Sequence, residues 1–476
     1  MSPKLPGKLF RLALLSIGTA VLAATGCTNG SMTSTTPPQN ATGSSFVIGT
    51  DAPLASVSSF SVQIESLDAI DSKGNSVPLL SGTPTVDFAR FNGLQTLLDM
   101  NDVPADTYNS VTITLGSGTI GYLDTTSSPP AIQTMPATFS TSTVNVNLDK
   151  PLVVEQNGSP AGLRVDFDLA KSIELDANGD ITGAVNPTFN IKGVANSEGG
   201  GHIDTFVAGV VSTDASSQSF VVQGPHGENF TIDVNGQTEW DGDASFASLN
   251  TSCIVEVSGS LDKADQTLDA DEVAILTTTG FYAGGQITYV TPSSGPATSF
   301  DLYVRGLLPT DTGLTLGQIA QINLTGNEKY FVYWMHNPFT EFFFNSSSLV
   351  AGQHVSVGGP ASGAGNPDAV TVERIHLRNW GYNGTIVPGS ENASTASFKM
   401  QVGGFTGLLI PETITVYLGD HSDFRYGLGA FSDLTDGAKI RVVGLLLKNS
   451  TNGNVVLLAR HIDGVDLTNF TTTSFQ

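Results

Sequence analysis

The sequence predicts an all-β chain, an N-terminal antiparallel β-sandwich followed by three tandem small β-barrel-like repeats. Apolar and polar residues alternate with a period of two in five separate segments between Phe60 and Ile191, which is the pattern of half-buried strands. A frame of Leu followed ten residues on by Gly recurs as Leu249 to Gly259, Leu349 to Gly359 and Leu434 to Gly444. Gly, Pro, Asn and Asp clusters separate the alternating runs, and nothing longer than Phe91 to Met100 offers a helix.

Residues 1–26 come first. Lys4, Lys8 and Arg11 precede an apolar run from Leu12 to Ala24, and Ala24-Thr25-Gly26-Cys27 follows. This resembles a bacterial lipoprotein signal with its lipobox, which makes Cys27 the lipidation site. An ordinary secretory signal shares the same basic, apolar and small-residue regions, and both readings export the protein. Neither is a membrane span, because about 13 apolar residues fall short of the roughly 20 that a hydrocarbon core demands. Thr28 stands where an inner-membrane lipoprotein of some Gram-negative bacteria carries Asp, so the resemblance implies the outer membrane, facing periplasm or cell surface. Residues 27–45 are Ser, Thr, Pro, Asn and Gly with no apolar period, a flexible tether.

Removing residues 1–26 takes three of the 20 basic side chains and none of the 44 acidic ones, leaving 17 against 44, a formal charge of −27. Nucleic acid and anionic lipid surfaces demand a basic footprint and are excluded as partners. Only 13% of residues are charged, about half the usual share, so Ser, Thr, Asn and Gly must finish the surface. With Cys27 lipidated, Cys253 has no partner, and neither a disulfide framework nor a cysteine metal site is available.

The sandwich is assigned to residues 46–195. Phe60, Val62 and Ile64 alternate with Ser61, Gln63 and Glu65, and the period recurs at Val111, Ile113 and Leu115, at Val144, Val146 and Leu148, at Leu163, Val165, Phe167 and Leu169, and at Phe189 and Ile191. Thr50-Asp51-Ala52-Pro53, Val103-Pro104-Ala105-Asp106-Thr107-Tyr108, Arg164 through Ile173 and Asn186-Pro187-Thr188-Phe189 resemble the bacterial lipoprotein family called domain of unknown function 4382. The resemblance implies a β-sandwich on an envelope lipoprotein and carries no catalytic residues. Asp106 stands where that family usually has Gly.

The repeats are assigned to residues 204–278, 283–378 and 381–465, after a Gly-rich boundary at 195–203 where the sandwich is expected to separate as an independently folding fragment. Val255, Val355 and Ile440, then Val257, Val357 and Val442, occupy matching places in the three frames. Each copy offers five or six short strands, enough for a small closed barrel. The pattern resembles the domain of unknown function 5666 family, typically a small barrel in exported bacterial proteins.

Motifs for catalysis dissolve on inspection. Gly116-Ser117-Gly118-Thr119-Ile120-Gly121 matches the dinucleotide fingerprint, but the residues after it cannot form the helix that receives a pyrophosphate. Asp176-Ala177-Asn178-Gly179-Asp180 begins like a calcium loop yet lacks the next Gly and the closing Glu, so a hairpin turn is expected, with Asp176 and Asp180 as the ligands of any weak calcium site. The seven histidines show no metal-ligand spacing; Arg374-Ile375-His376 and Arg460-His461-Ile462 look like ancestry of repeats without chemistry. No catalytic residue, metal or cofactor is assigned, although carboxylate pairs for glycan hydrolysis are set by geometry and leave no sequence signature.

One segment stands out. Lys329 to Phe344 is dense in aromatics, and as a strand it puts Tyr330, Val332 and Trp334 on one side and Phe331, Tyr333 and Met335 on the other. One side must pack on a neighbouring module or meet a ligand. Tyr330 and Trp334, with Trp380 and Tyr382 at the next junction, are the candidate ligand-binding residues. The reading is a lipid-anchored, non-catalytic binding module whose partner is glycan or another extracellular polymer. The alternatives are a structural or assembly lipoprotein with protein partners, and a glycan hydrolase with dispersed carboxylates.

Overall fold

The computed structural model describes residues 42–464 apart from 53–56, 92–93, 125–130, 157, 159–160, 178, 196–200, 225–226, 228, 242–243, 262–266, 333–342, 408, 411–412, 426 and 450–451. The chain is almost all β. Its first sheet orders the strands Phe189–Ala195, Ala161–Asp168, Thr42–Ala52 and Thr96–Pro104. The second is built on Val57–Asp71 paired with Thr107–Asp124, flanked by shorter strands and by Thr143–Val153. A short 3-10 segment, Phe88–Arg90, precedes Phe91 to Met100, the one helix candidate, and Thr96 to Met100 belong instead to the strand Thr96–Pro104.

The sandwich core joins both sheets. Phe167 lies 4.9 Å from Phe60, 5.4 Å from Phe88 and 4.5 Å from Phe189, ring centre to ring centre. Such pairs add about 0.5–1.5 kcal/mol each beyond the area they bury. The Asp168 carboxylate accepts from the Lys171 backbone N–H at 3.0 Å, starting the one-turn helix Leu169–Ser172. The Ser172 hydroxyl then accepts from the Thr188 N–H at 3.0 Å, and Asp168 N–H donates to the Thr188 carbonyl at 2.9 Å. The two motifs quoted above thus clasp each other across the end of the first sheet.

Two pairings among the described sandwich residues depart from the antiparallel expectation: Ile181–Val185 runs parallel to Thr138–Phe139, and Thr42–Ala52 runs parallel to Ala161–Asp168, Ser45 opposite Ala161. The chain builds the whole second sheet between the latter two strands, so that sheet serves as the crossover. The physical reason is burial on both faces, which parallel strands favour. Val47 faces the sandwich core, whereas Phe46 and Ile48, with Leu97, join the core of the first repeat beside Ile203, Phe206 and Val255. Phe46-Val47-Ile48 is therefore a continuous apolar run rather than an alternating one.

The three repeats share one strand order. In the first, His202–Asp214 pairs with Ser219–Gln223 and with Ile254–Leu261, and Asn229–Asp233 closes parallel onto Thr267–Thr277. The last copy forms a closed five-stranded barrel by the same rule, with Thr413–Arg425 parallel to Val455–Gly464. In the middle copy the fifth strand is broken into Val370–Thr371, parallel to Ile319–Asn323, and Arg374–Leu377, antiparallel to His354–Gly359. Lys329–Val332 pairs parallel with Arg374–Leu377 at the sheet edge.

The Leu-to-Gly frame is the fourth strand and its approach. Leu249, Leu349 and Leu434 are buried, and the matched Val and Ile positions after them are at most 1% exposed. Gly259 and Gly444 sit at register shifts, and a Cβ there would fall on the carbonyl oxygen of Asp269 or Leu458 in the fifth strand. Only glycine lets the two backbones come that close.

The described residues between 42 and 464 cluster as one compact unit. The expected separation of the sandwich from the repeats meets an obstacle in Phe46, Ile48 and Leu97, which that cut would expose. Most of the Gly-rich boundary, 196–200, lies outside the described residues. Among the described residues no helix is long and apolar enough to cross a membrane.

Candidate functional site

Ionisable side chains gather on the outward face of the middle repeat's fifth strand. In the middle copy Arg374 and His376 alternate along the strand Arg374–Leu377 and so point the same way, and Arg378 follows directly after its end. All three reach the first repeat. Arg374 donates to the Ile275 carbonyl at 3.1 Å, and His376 Nδ1 lies 2.6 Å from Asp241 Oδ2. Arg378 is ion-paired with Glu256, which also accepts from Thr205 Oγ1 at 2.7 Å. His376, Arg378 and Glu256 are buried. Burial drives the His376 pKa below its ordinary value, although the Asp241 carboxylate pulls the other way.

Beside this lies an aromatic and cationic corner. Trp380 stacks on His354, centroids 4.2 Å apart and 14° from parallel. The Arg305 guanidinium lies 5.1 Å from the Trp380 ring and 5.1 Å from the Tyr303 ring, within cation–π range, and donates to the Ala89 carbonyl at 3.3 Å. Tyr303 Oη donates to Ser58 Oγ at 3.1 Å. The sandwich is thereby tied to the middle repeat. Burial pushes the Asp87 carboxyl up against the opposing charges of Arg305 and Arg90, and burial with the same arginines and Arg378 holds His354 well below its ordinary pKa.

A third cluster ties the sandwich to the first and last repeats. Asp204 Oδ2 accepts from the Gln95 N–H at 3.0 Å, while Asp204 N–H donates to the Gln95 carbonyl at 2.9 Å. Asp204 Oδ1 lies 3.4 Å from His202 Nε2 and 3.9 Å from Arg425. Burial alone would raise the Asp204 pKa, but the His202 hydrogen bond and the nearby positive charge hold it below the usual range. Burial pushes Asp463 up to about 6 despite Arg441 and Arg425, and burial holds His461 well below its ordinary value.

These clusters cement junctions. His376, Arg378, Glu256, Asp204, His461 and Asp463 are buried, whereas Arg374, His354, His202 and Arg425 stay partly exposed. Among the described residues no group of three or more His, Cys, Asp or Glu is arranged to hold a metal ion. The Asp176–Asp180 segment is a hairpin turn in which Asp176 Oδ1 accepts from Asp180 N–H at 2.9 Å. Gly116 to Gly121 lies inside the strand Thr107–Asp124.

The candidate ligand residues fall in different places. Cys27 and Trp334 lie outside the described residues. Trp380, 3% exposed, and Tyr382, 0% exposed, belong to the core of the last barrel and offer no platform to solvent. Their side chains are covered because the strand Trp380–Ile386 begins where His354, Arg305 and Leu94 converge. Tyr330 is half-buried against the middle core, its ring edge-on to Phe344 at 5.7 Å, and burial then Glu328 push its phenol up to about 12. Phe331 faces the other way and stacks at 4.6 Å on His376, its partner on the adjacent strand of the same repeat.

His376 and His461 are not equivalent positions. Val357 pairs with Ile375 and Val442 with Ile462, which places His376 one residue after its core isoleucine and His461 one before. The junction residues have one legible signal in the sequence, the Arg-x-His-x-Arg spacing of Arg374, His376 and Arg378.

Residues 44–182 match the family model described as Domain of unknown function (DUF4382). Residues 208–274 match Domain of unknown function (DUF5666). The first match falls within the sandwich and the second within the first repeat, in the order that the motifs imply. No curated protein matches the chain.

Proposed function

We propose that this protein is a lipid-anchored, non-catalytic module of the bacterial outer envelope, a single rigid β body that holds a recognition surface away from the membrane. The observation that carries this reading is the sharing of cores. Phe46, Ile48 and Leu97 of the sandwich complete the first repeat, Leu94 enters the last barrel, and Leu445 and Leu458 of the last barrel join the middle core. Ionisable groups of the kind that catalysis uses are spent in the junctions between these parts. A glycan or another extracellular polymer is the partner class that suits an acidic, hydroxyl- and amide-rich exterior. The structural alternative, a spacer with protein partners, gains from the burial of Trp380 and Tyr382.

Two measurements test the proposal. Two or more acyl chains make attachment stable, each contributing roughly 0.8 kcal/mol per buried CH₂, so wild-type protein should fractionate with membranes and Cys27→Ser should not. Limited proteolysis of the full chain should leave residues 42–464 held together, cut chains included, under native conditions. Wild-type protein that is soluble with an unmodified Cys27, or a sandwich that dissociates and melts alone, would refute the anchored rigid body.

A further inference from the structure

The middle repeat carries an exposed row of side chains that the junctions do not use. Tyr289 lies on the strand Phe281–Thr291 and is 58% exposed, in contrast to the buried tyrosines at 282, 303 and 382. It pairs with Asp301 on the next strand, and Asp301 pairs in turn with Gln321 on the third. Side chains directly opposite share a face, so a phenol ring, a carboxylate and a carboxamide stand in line across about 10 Å of sheet, two strand spacings. The neighbouring row on that face, Thr291, Ser299 and Asn323, is also polar.

The local backbone aims Tyr289 outward. The register shifts between Ile287 and Tyr289, leaving Thr288 unpaired, and such bulges redirect side chains. Further along the same face Tyr303 is covered by Ser58 of the sandwich. The row is therefore the uncovered end of a face whose other end is docked. Gln321 hydrogen-bonds the Asp301 carboxylate, which fixes both groups and holds back a pKa that partial burial raises.

We propose that Tyr289, Asp301 and Gln321 form a subsite for a neutral, hydroxyl-rich saccharide chain. An aromatic face beside amide and carboxylate acceptors matches a pyranose, whose C–H face stacks on a ring while its hydroxyls donate and accept at the edge. The charge of the molecule selects among polymers. With 44 acidic side chains against 20 basic ones, and a carboxylate in the row itself, anionic chains are repelled. This assignment deepens the scaffold reading above and rests on it only for the body that displays the row.

The experiment is affinity electrophoresis of the detergent-solubilised full chain through native gels that contain hydroxyethylcellulose, laminarin, xylan or dextran, with alginate as the anionic comparison. At least one neutral polysaccharide should retard wild type, and alginate should not. Tyr289→Ala should lower apparent affinity at least tenfold and Gln321→Ala severalfold, each with an unchanged melting temperature. Absence of retardation by all four neutral polymers overturns the proposal, as does retardation that survives Tyr289→Ala. Retardation lost in Trp334→Ala but kept in Tyr289→Ala would place glycan binding elsewhere. None of these outcomes bears on membrane fractionation or protease resistance, which test the scaffold itself.

Discussion

The fifth strands of the first and middle repeats are the same element put to opposite uses. Their inward residues are interchangeable: Val273 and Ile275 in one, Ile375 and Leu377 in the other, all at most 2% exposed. Their outward residues are not. The first repeat presents Ala274 and Leu276, which cluster with Ile254 and Tyr282, whereas the middle repeat presents Arg374, His376 and Arg378, which reach Ile275, Asp241 and Glu256. Barrel closure fixes the inner face in every copy and leaves the outer face free to diverge. Duplication thus supplies the fold, and the outer face of a strand decides which neighbour it docks on.

The sharpest way to break that docking is Arg378→Ala. It leaves Glu256 buried without its cation, a change that usually costs about 3–5 kcal/mol, whereas replacing both partners by apolar residues of similar size is often near neutral. Urea unfolding should therefore show a large loss in Arg378→Ala and substantial recovery in Arg378→Met with Glu256→Leu. Equal losses in the single and double variants would mean that the pair is not the docking contact. Trp380→Ala belongs to the same class, at about 3–5 kcal/mol for a large aromatic removed from a packed interior. A loss under 1 kcal/mol would show that Trp380 is not packed as described.

Acid acts on the junctions next. His354, His376 and His461 each have a folded pKa below 6.5, so the unfolded chain binds more protons as pH falls through that value and stability declines. Each group costs at most about 1.4 kcal/mol per pH unit below its unfolded pKa. Asp463 works in the opposite sense. Raised to about 6, it contributes stability that is fully present below its ordinary value of 3.8 and is lost as pH rises through about 6. Asp87 and Asp301, whose carboxyls burial also raises, act in the same sense as Asp463, so the histidine contribution is read from variants: His376→Asn or His461→Asn should each reduce the loss of melting temperature, or increase the gain, between pH 7 and 5. A pH dependence unchanged in both variants would contradict the assignment of neutral histidines at these positions.

The sequence carried the inner faces well and the outer faces poorly, for one physical reason. Core positions must be apolar, so Val255, Val257 and their counterparts announce themselves by type and period. Docking positions are polar residues that burial has recruited, and a sequence window cannot tell Arg378 sealed against Glu256 from an arginine in water. The same limit explains Trp380, whose neighbours His354 and Arg305 come from 26 and 75 residues upstream. It explains the parallel pairing too, since Phe46-Val47-Ile48 reveals burial on both faces but not the strand that lies alongside. Tyr289 leaves no signal in the sequence because its neighbours in the row, Asp301 and Gln321, meet it only once three strands are in register.

The smallest expected effect separates the two ends of one sheet face. Tyr303 and Tyr289 both point outward from the middle repeat; the first is covered by the sandwich, and the second is open to solvent. Tyr303→Ala removes a buried ring, its hydrogen bond to Ser58 and the surface under Arg305, so it should cost about 3–5 kcal/mol. Tyr289→Ala removes a ring that water already touches, and surface changes of this kind stay within about 0.5 kcal/mol. Chemical denaturation of the two variants side by side makes the test. A Tyr289→Ala loss as large as that of Tyr303→Ala would mean that something covers the row in the folded protein. In that case the open end of this face would be another docking surface of the chain, and the divergence of outer faces would extend to the whole repeat.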